Sequence, residues 1–189
     1  LEAFKRYVTD LRLDAVAVTN HDLFDGAQFR QIQQALDITV FPDIEIRVDK
    51  GHVLIIGCAS ELHDFDTRAQ LVAQRITTSD ASISVQELKQ IYGDLNRYLV
   101  IPHYEKSPPI TGDTLEALKP YASAGEVDSP KKFVRVYKDK SKLTPVLFSD
   151  ARISTALTEL PTRQTYIDCG TLSLAALKSC LNDRTKVTL

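Results

Sequence analysis

Three of the four histidines lie beside turn residues at the ends of predicted strands, and two carboxylates occupy similar positions. The candidates are His21, His52, His103, Glu45 and Asp150. In α/β folds, active sites collect at the C-terminal ends of the strands, so we expect these side chains to meet in one cleft. Imidazole and carboxylate groups are typical ligands of divalent Zn, Mn or Fe. The set therefore predicts a divalent-metal site.

The elements that must position these residues alternate between short apolar runs and segments of helical periodicity. Predicted strands cover 14–19, 38–41, a hairpin over 43–58, 98–101, 124–127, 145–148, 165–168 and 186–189. Predicted helices cover 1–11, 27–36, 65–76, 84–92, 115–118, 131–138 and 172–181. This alternation predicts a single α/β domain over residues 1–189, with a mainly parallel sheet or an α/β barrel.

Composition excludes several classes of protein. Hydrophobic residues make up 43% of the chain and charged residues 25%, which is typical of a globular domain. The net charge of -2 implies no overall attraction to nucleic acid. No apolar stretch is long enough to span a membrane, and the charged start of the chain does not resemble a signal peptide. The three widely spaced cysteines predict free thiols in a reducing cytoplasm rather than a disulfide framework or a zinc ribbon.

Five short motifs follow one another along most of the chain. They are Ala17-Val-Thr-Asn-His-Asp22, Phe41-Pro-Asp-Ile-Glu-Ile46, Gly51-His-Val-Leu54, Ile101-Pro-His103 and Ser149-Asp-Ala-Arg152. In this order they resemble the successive motifs of the PHP (polymerase and histidinol phosphatase) family, over about residues 14–168. The resemblance implies a distorted (β/α)7 barrel with two or three metal ions at the strand ends, and hydrolysis of a phosphate ester.

The resemblance also implies a role for each candidate ligand. His21 would be a metal ligand from the turn after the first strand, and Glu45 a carboxylate that bridges two metals. His52 and His103 would be further ligands, and Asp150 a late acidic ligand that takes part in catalysis. Two metals about 3.5–4 Å apart can stabilise both the attacking and the leaving oxygen at phosphorus.

The chain departs from the family pattern at several positions. The opening H-x-H motif would precede Leu1, so the barrel is expected to be incomplete at its N-terminus. Asn20 replaces an aspartate and is expected to support the ligands from behind. Arg152 replaces the final metal-binding histidine, and a guanidinium cannot ligate a cation. Either Arg152 binds the substrate phosphate and takes part in catalysis, or the site has lost part of its metal cluster.

A basic segment follows the predicted strand at 124–127. Lys131, Arg135, Lys138 and Lys142 share one helical face, which could guide a polyanionic substrate. Lys131 or Lys132 would then contact a phosphate. The alternative is an ordinary solvated helix face. At the end of the same strand, Glu126 is expected to support the metal ligands from a second layer.

Two hypotheses about function stay open. In the first, the chain is a cytoplasmic, metal-dependent phosphoesterase that hydrolyses a phosphomonoester or phosphodiester of a nucleotide or nucleic acid. The segments around Pro130 and 166–178 resemble PHP domains fused to AAA- or SMC-like ATPases of the TrlF-like type, which implies an ATPase domain in the same polypeptide. In the second, the chain is a catalytically inactive PHP-like module that binds or regulates such a partner. A histidine at a strand end is also a common structural, hydrogen-bonded residue.

Overall fold

A mixed α/β arrangement is the architecture of the computed structural model, which describes residues 1–152, 161 and 164–189. The strands are β1 Ala15–Val18, β2 Thr39–Val48, β3 Gly51–Ile56, β4 Leu99–Glu105, β5 Gly125–Val127, β6 Pro145–Val146, β7 Tyr166–Ile167 and β8 Val187–Thr188. The helices are α1 Glu2–Asp10, α2 Gly26–Ala35, α3 Leu62–Arg75, α4 Val85–Tyr92, α5 Gly112–Leu118, α6 Pro130–Lys138 and α7 Leu174–Asn182. The predicted alternation of helices and strands is confirmed.

Six strands form one sheet in the order β1-β2-β3-β4-β5-β6. The pairs β1–β2, β4–β5 and β5–β6 are parallel, whereas β3 is antiparallel to both of its neighbours. The sheet curls into a half-barrel, which is consistent with part of an α/β barrel. Strands β7 and β8 pair separately in an antiparallel ribbon.

Strand β2 is longer than the sequence predicts, because it continues through Pro42. The expected break there was wrong: Pro42 lacks an N–H, but it keeps its register with Val18, and its carbonyl accepts a hydrogen bond of 2.9 Å from Gly57 N. An unbroken strand keeps strict alternation, so Asp43 and Glu45 point to the same face of the sheet.

The two faces of the sheet bury different cores. Ile44, Ile46, Val48, Val53 and Ile55 pack with the helices α2, α3 and α4. The opposite face carries Phe41, Leu54, Ile56, Leu99 and Ile101, which pack with α6 and α7. The candidate ligands of β2, β3 and β4 alternate with the first set, so they lie on the same face as the second.

Side-chain caps determine where several helices begin. Asp25 accepts hydrogen bonds from two backbone N–H groups at the start of α2. Ser84 and Glu87 form a capping box at the start of α4, as the sequence predicts. Ser129 caps α6, with Pro130 in the first turn, and Ser173 caps α7. Every helix within the described residues is too short or too polar to cross a membrane.

Candidate metal centre

Strand direction brings the candidate ligands to one edge of the sheet. Strands β1, β2, β4, β5 and β6 run the same way, so their C-terminal ends share that edge. Because β3 runs the opposite way, its first residues lie there too, and His52 is the second of them. His103 lies near the end of β4, and His21 follows β1.

Backbone hydrogen bonds hold the turn after β1 against β2. His21 and Glu45 form a parallel bridge, in which Asp22 N donates to the Glu45 carbonyl at 2.8 Å and Glu45 N donates to the Asn20 carbonyl at 3.0 Å. The Asn20 side chain bonds to Gln28 of α2 at 3.0 Å. The supporting role of Asn20 behind the ligands stays a prediction.

Three imidazole nitrogens converge on one carboxylate oxygen of Glu45. Glu45 Oε1 lies 2.5 Å from His52 Nδ1, 3.4 Å from His103 Nε2 and 3.5 Å from His21 Nδ1. The ring centroid of His52 lies 5.5 Å from that of His21 and 5.2 Å from that of His103. Ligand atoms of His21, Glu45 and His52 all fall within 4.8 Å of one another, so this group could hold a metal ion.

The atoms at the back of the cluster are buried and lack hydrogen-bond partners. Within the described residues, no partner is found for Nδ1 or Nε2 of His103, or for Oε2 of Glu126. The two side chains are only 2% exposed, and His103 Nε2 lies 3.3 Å from Glu126 Oε2. An unsatisfied buried polar group costs about 1–3 kcal/mol. Coordination of a cation would use the lone pair of His103 Nε2 and those of Glu126 Oε2, so the donor set fits a divalent metal ion.

The site's electrostatics suit metal ligation. Burial and the neighbouring Lys106 ammonium lower the pKa of His103 to about 4, so that its imidazole is neutral near pH 7. Burial acts to raise the pKa of Glu45, but the hydrogen bond with His52 and the other histidines bring it below its usual value. Burial raises the pKa of Glu126 to about 7, against the opposing effect of Lys106.

Lys106 is a member of the site that the sequence interpretation missed. Its Nζ lies 2.9 Å from Glu126 Oε1 and 3.3 Å from Asp150 Oδ2. Asp150 itself is largely exposed and joins the cluster through this ammonium. The available signal was a lysine three residues beyond a strand-end histidine, His103. Glu126, expected to support the ligands, lies beside the His103 ring, and its supporting role stays a prediction.

Arg152 is exposed, two residues after Asp150. Asp150 forms an ion pair with Lys106. The binding of a substrate phosphate by Arg152 stays a prediction.

Neighbouring acids neutralise part of the basic segment around α6. Glu105 pairs with Arg135 at 2.5 Å and with Lys142 at 3.3 Å. Lys132 donates to the Glu105 carbonyl at 2.8 Å and to Asp128 at 2.7 Å. Lys131 is exposed. The contacts of Lys132, Arg135 and Lys142 therefore favour a structural role for these three residues.

A cleft of about 330 Å³ adjoins the histidine cluster on the side of His21. It is lined by Arg47, whose Nε lies 2.7 Å from Asp22 Oδ2, and by Thr77 and Thr78. The volume is in the range of small-molecule sites. A substrate group bound there would lie beside the candidate metal ligands.

Comparison with protein-family models and with curated proteins finds no significant match to the chain.

Proposed function

We propose that this chain is a PHP-type metallophosphoesterase that binds divalent Zn, Mn or Fe and hydrolyses a phosphate ester of a nucleotide or nucleic acid. The observation that carries the proposal is the convergence of His21, His52 and His103 on one carboxylate oxygen of Glu45. The order of the sequence motifs supports the phosphoesterase assignment.

The contacts within the site suggest a separate role for each residue. His21, Glu45, His52 and His103 hold the ion, which supplies Lewis acidity to a phosphoryl oxygen and to water when bound. The ammonium of Lys106 lies beside this group and offers a positive charge to a phosphate oxygen. Arg47, held by Asp22, borders the adjacent cleft and can orient the rest of the substrate. Arg152 contributes to phosphate binding from the exposed side, where Asp150 pairs with the ammonium of Lys106.

The first experiment measures metal binding. The purified chain is dialysed against Mn²⁺ or Zn²⁺, and bound metal is counted by mass spectrometry and titrated by calorimetry. Glu45→Gln should weaken binding by more than about 100-fold, since even residues behind the ligands typically cost about 10–100-fold in metal affinity. Glu116→Gln, at an exposed carboxylate on α5, is the matched control and should bind metal like the wild type.

The second experiment measures hydrolysis of p-nitrophenyl phosphate and bis(p-nitrophenyl) phosphate with the metal-loaded chain. Activity on one ester and its loss in Glu45→Gln would support the enzyme and distinguish a monoesterase from a diesterase. A folded wild-type chain that binds neither metal would overturn the metal site.

A second candidate function is a non-catalytic PHP-like module that regulates an ATPase domain in the same polypeptide. It is favoured by Arg152, which stands where the resemblance implies a metal-binding histidine. Stoichiometric metal binding without hydrolysis of either ester would support this candidate over the enzyme.

A further inference from the structure

Three carboxylates lie in a row across the open edge of the sheet, with one nitrogen-bearing side chain between each pair. His103 lies between Glu45 and Glu126, at 3.4 Å and 3.3 Å from their oxygens. Lys106 lies between Glu126 and Asp150, at 2.9 Å and 3.3 Å. The row therefore contains two places where a cation could lie beside two carboxylates, and the ammonium of Lys106 occupies the second.

Lys106 is held firmly in this place. Its side chain is only 14% exposed, and its main partner Glu126 is 2% exposed. Burial acts to lower the pKa of Lys106, but the charges of Glu126 and Asp150 and the hydrogen bond to Glu126 raise it above its usual value. An ionised carboxylate this deeply buried is costly without a counter-charge, and Lys106 supplies that charge to Glu126.

The place beside Glu45 and Glu126 differs from the one that Lys106 occupies, because its buried polar atoms are unsatisfied. Within the described residues, His103 Nε2 and Glu126 Oε2 are buried, lie close to each other and lack a hydrogen-bond partner, whereas Glu126 Oε1 is satisfied by Lys106. The unsatisfied atoms belong to the side of the row that holds Glu45, His21 and His52. Unsatisfied ligand atoms are therefore found at the histidine cluster, whereas Lys106 already pairs with both Glu126 and Asp150.

We infer that Lys106 is a built-in cation that takes the place of a second metal ion, so that the site binds one divalent ion through its histidines and Glu45. This inference rests on the proposed metal site. One divalent ion and one ammonium neutralise the three carboxylates when all are ionised. A second divalent ion beside the ammonium would add strong like-charge repulsion within a few ångströms. Lys106 then provides, opposite the metal, the fixed positive charge that a phosphate needs.

The test counts metal ions in the wild type and in variants that remove or keep the charge. With Mn²⁺ as the probe, mass spectrometry and calorimetry should give about one equivalent for the wild type and about two for Lys106→Met, because the freed carboxylates then offer ligands to a second ion. Electron paramagnetic resonance of Lys106→Met should show coupling between two manganese ions. Lys106→Arg keeps the charge and should bind about one equivalent. Lys119→Met, at an exposed lysine, is the surface control.

Each outcome decides between the inference and the function on which it rests. A folded wild type without metal would overturn the metal site itself. One equivalent in both the wild type and Lys106→Met would leave that site standing and overturn the role of Lys106. Two equivalents of metal in the wild type would also overturn the role of Lys106. If circular dichroism shows that Lys106→Met does not fold, Lys106→Gln replaces it, because it keeps a donor for Glu126 without the charge.

Discussion

Asp43 and Glu45 lie two residues apart on the same face of β2, yet their pKa values shift in opposite directions. Burial acts to raise the pKa of Glu45, but its histidine neighbours lower it below the usual value. Burial raises the pKa of Asp43 to about 8, although the Thr19 hydroxyl donates a hydrogen bond to it. Asp43 is therefore mainly protonated near pH 7 and Glu45 ionised, because only Glu45 has histidines within reach.

Asp43→Asn should change how stability depends on pH. Between the ordinary pKa of 3.8 and the folded value of about 8, the folded chain holds a proton that the unfolded chain has lost. Wild-type stability should therefore fall as pH rises through this window, by up to about 1.4 kcal/mol per pH unit from this group. The asparagine cannot ionise. The free energy of unfolding of the variant should therefore increase relative to that of the wild type as pH rises to about pH 8, and the difference should stay constant above it.

Urea denaturation between about pH 5 and about pH 8 tests this expectation. Asp37→Asn, at an exposed position, is the control and should run parallel to the wild type. Parallel curves for Asp43→Asn as well would show that Asp43 is not held protonated.

At the scale of the element, the β2–β3 hairpin delivers a histidine to an edge otherwise formed by the C-terminal ends of strands. The hairpin begins β3 with Gly51, where a Cβ atom would lie 2.6 Å from the Pro109 carbonyl oxygen. The next residue, His52, donates a backbone hydrogen bond of 3.3 Å to the Pro108 carbonyl. Close backbone packing against the loop after β4 therefore determines where His52 lies.

Gly51→Ala should disturb both stability and the metal site. The added methyl group must push the hairpin away from backbone atoms, which typically costs about 1–3 kcal/mol. The shift moves His52 away from Glu45, so metal affinity should fall about tenfold or more. Thermal unfolding and metal titration measure the two effects.

Gly170→Ala is the matched control, because a Cβ atom there meets nothing within 4 Å. It should leave both measurements near those of the wild type. Unchanged metal affinity in a destabilised Gly51→Ala would show that the hairpin contact does not position His52.

At the scale of the whole molecule, the candidate ligands join separate parts of the sheet. His21 follows β1, Glu45 belongs to β2, His52 to β3 and His103 to β4. Strands β1 and β2 are separated along the chain by α2, and β3 and β4 by α3 and α4. A bound ion would therefore add a further link between segments that strand pairing, core packing and the Asp22–Arg47 ion pair already join.

Metal binding should accordingly raise the midpoint of thermal unfolding. An ion at about 100 times its dissociation constant adds about 2.7 kcal/mol to the stability of a folded state that alone binds it. For a chain of this size that corresponds to a rise of about 5–10 °C. The gain should fade below about pH 6, since ligating imidazoles must be neutral, and a chelator should reverse it.

Scanning calorimetry with and without Mn²⁺ at about pH 7.5 and about pH 5 measures this effect. Glu45→Gln should show no gain at either pH. An equal gain in Glu45→Gln would assign the stabilisation to metal bound elsewhere on the molecule.

The sequence by itself determined the alternation of helices and strands, the hairpin at 43–58 and the capping box of α4. Apolar periodicity, turn residues and caps act over a few neighbouring residues, so they can be identified from the sequence alone. The placement of three histidines at strand ends followed from the same local signals. The break expected at Pro42 failed because a hydrogen bond from Gly57 and pairing with β1 keep the strand continuous.

Only the tertiary structure decided how the charged groups pair. Lys106 meets Glu126 and Asp150, and Glu105 takes up Arg135 and Lys142, across 20 to 44 residues of chain. The same packing buries Asp43 completely, which raises its pKa to about 8. These outcomes depend on strand order, on the curl of the sheet and on the water that it excludes, none of which a local pattern contains.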